Sequence, residues 1–82
     1  MESIYVKNHE GTRKIYLKIA LVLDSHDNYT YEGTEVATQN GEWVVDTYGL
    51  TYRDLRRMYE EGFHTIEPEE FESIQSFAQA DE

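Results

Sequence analysis

The sequence predicts an α+β fold, a three- to four-stranded antiparallel β-meander followed by one or two short α-helices. Three observations predict it. Ile15, Leu17, Ile19, Leu21 and Leu23 fall on every second residue, the pattern of a strand with one buried face. Asn40-Gly41 separates two segments rich in β-branched and aromatic residues. That dipeptide accepts the positive φ angles of a two-residue type I′ hairpin turn. From Thr51 onward the apolar spacing lengthens to that of a helix, with Leu55, Met58 and Tyr59 close in phase.

The elements follow in order. Ile4-Tyr5-Val6 reads as a short strand, ended by the turn-like Asn8-His9-Glu10-Gly11. In the alternating segment the odd positions should face the core. Lys14, Tyr16 and Lys18 take the other face, which turns apolar at Ala20 and Val22 and should be covered there as well. A helix would scatter Ile15, Leu17 and Leu21 around its circumference, so a strand is the better reading. Asp24-Ser25-His26-Asp27-Asn28 is a turn, because Asp, Ser and Asn side chains bond their own backbone. Residues 29–38 form the next strand, with Gly33 as a candidate bulge. Glu42-Trp43-Val44-Val45-Asp46-Thr47 returns antiparallel to it.

Thr51 and Asp54 have capping-box spacing. Tyr52, Leu55 and Tyr59, with Met58 beside them, should form the buried stripe of the first helix. Arg53, Arg56, Arg57 and Glu60 take the opposite side. Gly62 suits the residue just past a helix end. Phe63-His64-Thr65-Ile66 reads as a short edge piece, and Pro68 as the first residue of a second helix. Glu67, Glu69 and Glu70 complement the positive end of that helix. Phe71, Ile74 and Phe77 with Ala78 should be its buried stripe, and residues 79–82 a frayed tail.

At 82 residues the chain is sized for a single small domain, residues 1–82. Aromatic residues make up 13% of it, more than disordered chains carry, so it should fold despite its charge. It has no cysteine, which rules out disulfides and thiolate chemistry and suits a reducing compartment. The first residues lack the pattern of a secretory signal, and the longest apolar run, at residues 19–23, is too short for a bilayer. A cytoplasmic location is the expectation.

Charge is distributed unevenly. The first eighteen residues hold four basic and two acidic side chains, whereas the remaining sixty-four hold three and fifteen, for a net charge of −10. Unpaired carboxylates cannot be buried in so small a domain, so they must create a negative field at the surface. Such a field repels nucleic acid and anionic membranes and attracts basic partners. Phosphate-binding glycine loops, His-Glu-x-x-His and cysteine metal motifs are all missing. The 24–28 segment has alternating oxygen ligands but lacks the glycine and distal glutamate of a calcium loop, and reads better as a turn. With seventeen carboxylates, close pairs arise by chance and do not signal catalysis. Neither an enzyme nor a cofactor is expected.

The candidate binding surface combines carboxylates with tyrosines. Glu32 should share a strand face with Thr30 and Thr34, and Glu35 the opposite face with Tyr29 and Tyr31. Across the turn, Glu42, Val44 and Asp46 share one face, and Trp43, Val45 and Thr47 the other. Glu67, Glu69, Glu70 and Glu72 open the second helix. Regularly spaced carboxylates imitate the phosphates of a duplex, and tyrosine anchors interfaces well. Arg53, Arg56 and Arg57 are expected to answer nearby Glu60 and Asp54.

In size, acidity and lack of catalytic motifs the chain resembles, as a class, the small acidic proteins of phages and mobile elements. Those proteins block nucleases, restriction enzymes or CRISPR effectors, some by imitating DNA. The resemblance is compositional and transfers no residue. It implies a binding protein that blocks a basic surface of a partner, expected to be a nuclease or other nucleic-acid-binding protein. An immunity protein or antitoxin of a nuclease is the near alternative. A small adaptor subunit whose acidity serves only solubility is the distant one.

Overall fold

The computed structural model describes residues 3–80. Four strands form the predicted antiparallel meander: β1 (Ser3–Glu10), β2 (Arg13–Leu23), β3 (Tyr29–Gln39) and β4 (Glu42–Leu50). Helix α1 (Tyr52–Glu60), the two-residue strand β5 (His64–Thr65) and helix α2 (Pro68–Ala80) follow. The sheet order is β4-β3-β2-β1-β5. The class is α+β.

β1 is longer than Ile4-Tyr5-Val6. Pairing continues through Asn8↔Ile15, His9↔Lys14 and Glu10↔Arg13, which leaves Gly11-Thr12 as the turn. Asn8, polar and turn-prone by composition, is 93% shielded and donates from Nδ2 to the Glu61 carbonyl at 3.4 Å. A long-range contact thus overrides its local preference. The 24–28 segment is the turn expected. An Asp24 carboxylate oxygen accepts the N–H groups of His26 and Asn28 at 2.8 and 3.0 Å, and Asp27 takes a φ of 60°. Asn40 and Gly41 have φ angles of 54° and 81°, the type I′ signature.

Gly33 is not a bulge. The register runs unbroken through it, opposite Ile19 on one side and Tyr48 on the other. Its role is to make room, since a Cβ there would lie 2.8 Å from a Leu50 methyl and 3.2 Å from a Leu17 methyl.

Both faces of the sheet are covered, each by one helix. On one face, odd residues of β2 and β3 align with even residues of β1 and β4. Val6, Leu17 and Ile19 there pack with Leu55 and Met58 of α1, flanked by Tyr31, Tyr48, Leu50 and Phe63. On the other face, Tyr16 and Val36 pack with Phe71 and Ala78 of α2, flanked by Tyr5, Trp43, Val45, Ile66 and Ile74. The second cover therefore falls over Tyr16. Ala20 and Val22, the positions expected to need it, are only half-buried.

Each helix is rotated from its sequence-based stripe. Leu55 and Met58 are buried, but Tyr52 and Tyr59 are 65% and 48% exposed. In α2, Phe71 and Ala78 are buried while Phe77 is 58% exposed. The amphipathic pattern locates an apolar face only broadly, and a single contacting layer selects the two or three residues that point directly at the sheet.

The ends of α1 are as expected. The Thr51 hydroxyl accepts from the Asp54 N–H, and the Asp54 carboxylate accepts from the Thr51 N–H, completing a capping box. At the other end, the Gly62 and Phe63 N–H groups reach the Tyr59 and Met58 carbonyls, with Gly62 at φ 105°. This is a Schellman motif, whose Phe63–Met58 contact joins the core. β5 then pairs antiparallel with Val6 and Lys7. Gln79 and Ala80 belong to α2, and the rest of the expected tail lies outside the described residues.

Candidate functional site

The hairpin β3–β4 sorts the carboxylates by face, as alternation requires. Glu35, Glu42 and Asp46 lie on the α1 side, and Glu32 on the α2 side with Thr30 and Thr34. Glu35 and Asp46 are direct cross-strand partners, an arrangement in which like charges destabilise the pair. Both are engaged locally. Tyr48 donates its hydroxyl to Glu35 Oε1 at 3.1 Å, and Asp46 Oδ1 accepts the Thr47 N–H at 2.9 Å. Burial pushes the Tyr48 hydroxyl above its ordinary range, and the Glu35 carboxylate beside it adds to the shift.

The other predicted residues divide into exposed and engaged groups. Glu32, Glu42, Asp46, Glu67, Glu69 and Glu72 are exposed, as is Tyr29. Tyr31 is half-buried against the α1-side core, and Glu35 is held by Tyr48. Glu70 accepts from Lys7 Nζ at 2.8 Å, which raises the lysine pKa chiefly through that hydrogen bond. The result is three acidic areas rather than one: Glu35, Glu42 and Asp46 on the α1 side of the hairpin, Glu32 on its opposite face, and the carboxylates at the start of α2.

Lys7–Glu70 is the one ion pair within 4.0 Å among the described residues. The expectation that Arg53, Arg56 and Arg57 pair with Glu60 and Asp54 is therefore not met. Asp54 turns to Thr51, whose N–H and hydroxyl hold its carboxyl below the usual range, with Arg57 and Arg53 adding a weaker, longer-range attraction. The three arginines line a shallow depression of about 330 Å³ with Tyr52 and Glu60. A second depression, of about 280 Å³, lies between α1 and the sheet and takes in Arg13, Glu35, Tyr48, Asp54, Arg57 and Glu61. Neither Arg13 nor Tyr48 was legible as part of a site. Their meeting depends on the strand register and on where α1 lands.

Another concavity, about 600 Å³, lies between the Gly11-Thr12 and Asn40-Gly41 turns and takes in Arg13. No three His, Asp or Glu side chains converge as metal ligands among the described residues. No described helix is long and apolar enough to cross a membrane.

The chain matches no protein-family model, no curated protein and no solved structure.

Proposed function

We propose that this is a non-enzymatic binding protein that blocks a basic, nucleic-acid-binding surface of a partner protein. The observation that carries the reading is the near absence of internal neutralisation. One ion pair joins the described residues, and six of the eight predicted binding carboxylates are exposed. Their charge acts outward, where it speeds encounter with a basic surface and biases binding against anionic ones. Glu32, Glu42, Asp46, Glu67, Glu69 and Glu72 supply the field, and Tyr29, 64% exposed, supplies an aromatic anchor. Glu35 and Glu70 shape the surface while engaged by Tyr48 and Lys7.

The partner is captured from host lysate on tagged protein, eluted with salt and identified by mass spectrometry. Elution of a nuclease or other nucleic-acid-binding protein at moderate salt, with displacement by competitor DNA, is the expected result. Changing Glu32, Glu42 and Asp46 together to Lys should abolish that capture while leaving the circular dichroism intact. Capture unaffected by DNA and by the triple change sinks the reading.

An adaptor role is the second reading, favoured by Ile4, Leu23 and Tyr29, which are 42%, 55% and 64% exposed on the α1 side of the sheet. Salt-insensitive binding that is lost in Leu23→Ser would select it.

A further inference from the structure

We infer that the free edge of β4 is a strand-addition site, which takes an extended, lysine- or arginine-bearing segment of the partner. The inference rests on the reading that the partner surface is basic, and it names how that surface is engaged. β4 ends the sheet order, nine residues long, with no strand beyond it among the described residues. The type I′ turn sets the phase of its hydrogen bonds. Gln39 and Glu42, which flank the two turn residues, form a hydrogen-bonded pair, and every second pair after them does likewise. Trp43, Val45, Thr47 and Gly49 consequently direct their N–H and carbonyl groups away from β3. Outside the sheet ladder, no backbone hydrogen bond reaches these four among the described residues.

Thr47 gives independent support for this phase. Its outward N–H is held by the Asp46 carboxylate at 2.9 Å, where the carbonyl of a neighbouring strand would sit. The opposite edge is treated differently. There β5 pairs with Val6 and Lys7, and the Ile66 N–H closes on the Tyr5 carbonyl at 2.9 Å. β4 lacks proline, lysine and any bulge, the usual devices against strand addition.

Charge selects the occupant. Residues 29–50 hold Glu32, Glu35, Glu42 and Asp46 and no Lys or Arg. A second copy laid along this edge would set carboxylates against carboxylates. A basic strand sets lysines against Glu42 and Asp46 and lets Asp46 exchange Thr47 for an ammonium group, while the backbone groups pair.

The test uses isotopically labelled full-length protein and the blocked peptide Lys-Val-Lys-Thr-Lys-Val-Lys as probe, with amide hydrogen exchange read by NMR at low salt. Saturating peptide should slow exchange at Val45 and Gly49 by at least about 10-fold, the mark of new backbone hydrogen bonds. Thr47→Pro removes an outward donor without touching the ladder and should weaken peptide binding by about 10-fold or more. Peptide binding that leaves all four outward amides exchanging freely overturns strand addition and leaves the basic-partner reading standing. Failure to bind either this peptide or polylysine overturns both.

Discussion

Tyr48 is the side chain whose surroundings most alter its chemistry. Gly33 lies directly opposite it, and Glu35 is reached diagonally across the same hairpin at 3.1 Å. Burial and the carboxylate both favour the protonated phenol, so its pKa rises above the ordinary 10.0. The folded chain then holds this proton more tightly than the unfolded chain. The associated stability is present below pH 10.0 and declines as the pH rises above it, while the unfolded phenol ionises first. Tyrosinate absorbance in an alkaline titration should show one phenol ionising late, and Tyr48→Phe should remove that step. An unchanged titration curve would reject the assignment. Neither residue advertises this pairing in the sequence, because thirteen positions separate them and only the type I′ register brings them together. The capping box was legible, because Thr51 and Asp54 are three residues apart and need no distant element to meet.

At the scale of elements, helix and strand identities were legible and the faces of the helices were not. Alternation over Ile15 to Leu23 requires a strand whatever packs on it. The stripes Tyr52-Leu55-Tyr59 and Phe71-Ile74-Phe77 are compatible with several rotations about the helix axis. Contact with the sheet selects Leu55 with Met58, and Phe71 with Ala78. Phe71→Ala should cost about 3–5 kcal/mol in urea unfolding, since a fully buried aromatic leaves a cavity. Phe77→Ser, on the same helix but 58% exposed, should fall within about 0.5 kcal/mol of the parent. Equal costs for the two would mean that α2 is rotated from the orientation described.

The molecule as a whole carries a charge of −10, with one internal ion pair among the described residues. Self-repulsion of that kind opposes the compact state and is screened over about 8 Å at physiological ionic strength. Raising sodium chloride from 50 to 500 mM should therefore raise the midpoint of thermal unfolding. A midpoint that falls with salt would mean that attractive pairs outweigh the repulsion. The same field underlies the proposed function, because carboxylates that form no ion pair with a lysine or arginine among the described residues remain available to a partner.

Composition and local pattern alone determined the sign of the surface, the meander, its turns at residues 24–28 and 40–41, the boundaries of α1 and the strand faces of the hairpin carboxylates. These depend on charge counts, on a period of two, and on residues a few positions apart. Tertiary structure alone decided that the helices take opposite faces of the sheet, that Tyr31 packs against the core while Tyr29 on the same face stays exposed, and that Tyr48 meets Glu35. It also decided that β5 covers part of one edge while, among the described residues, no strand pairs with the outer edge of β4. Each of these is a choice among locally equivalent arrangements, and only burial against a distant element distinguishes them.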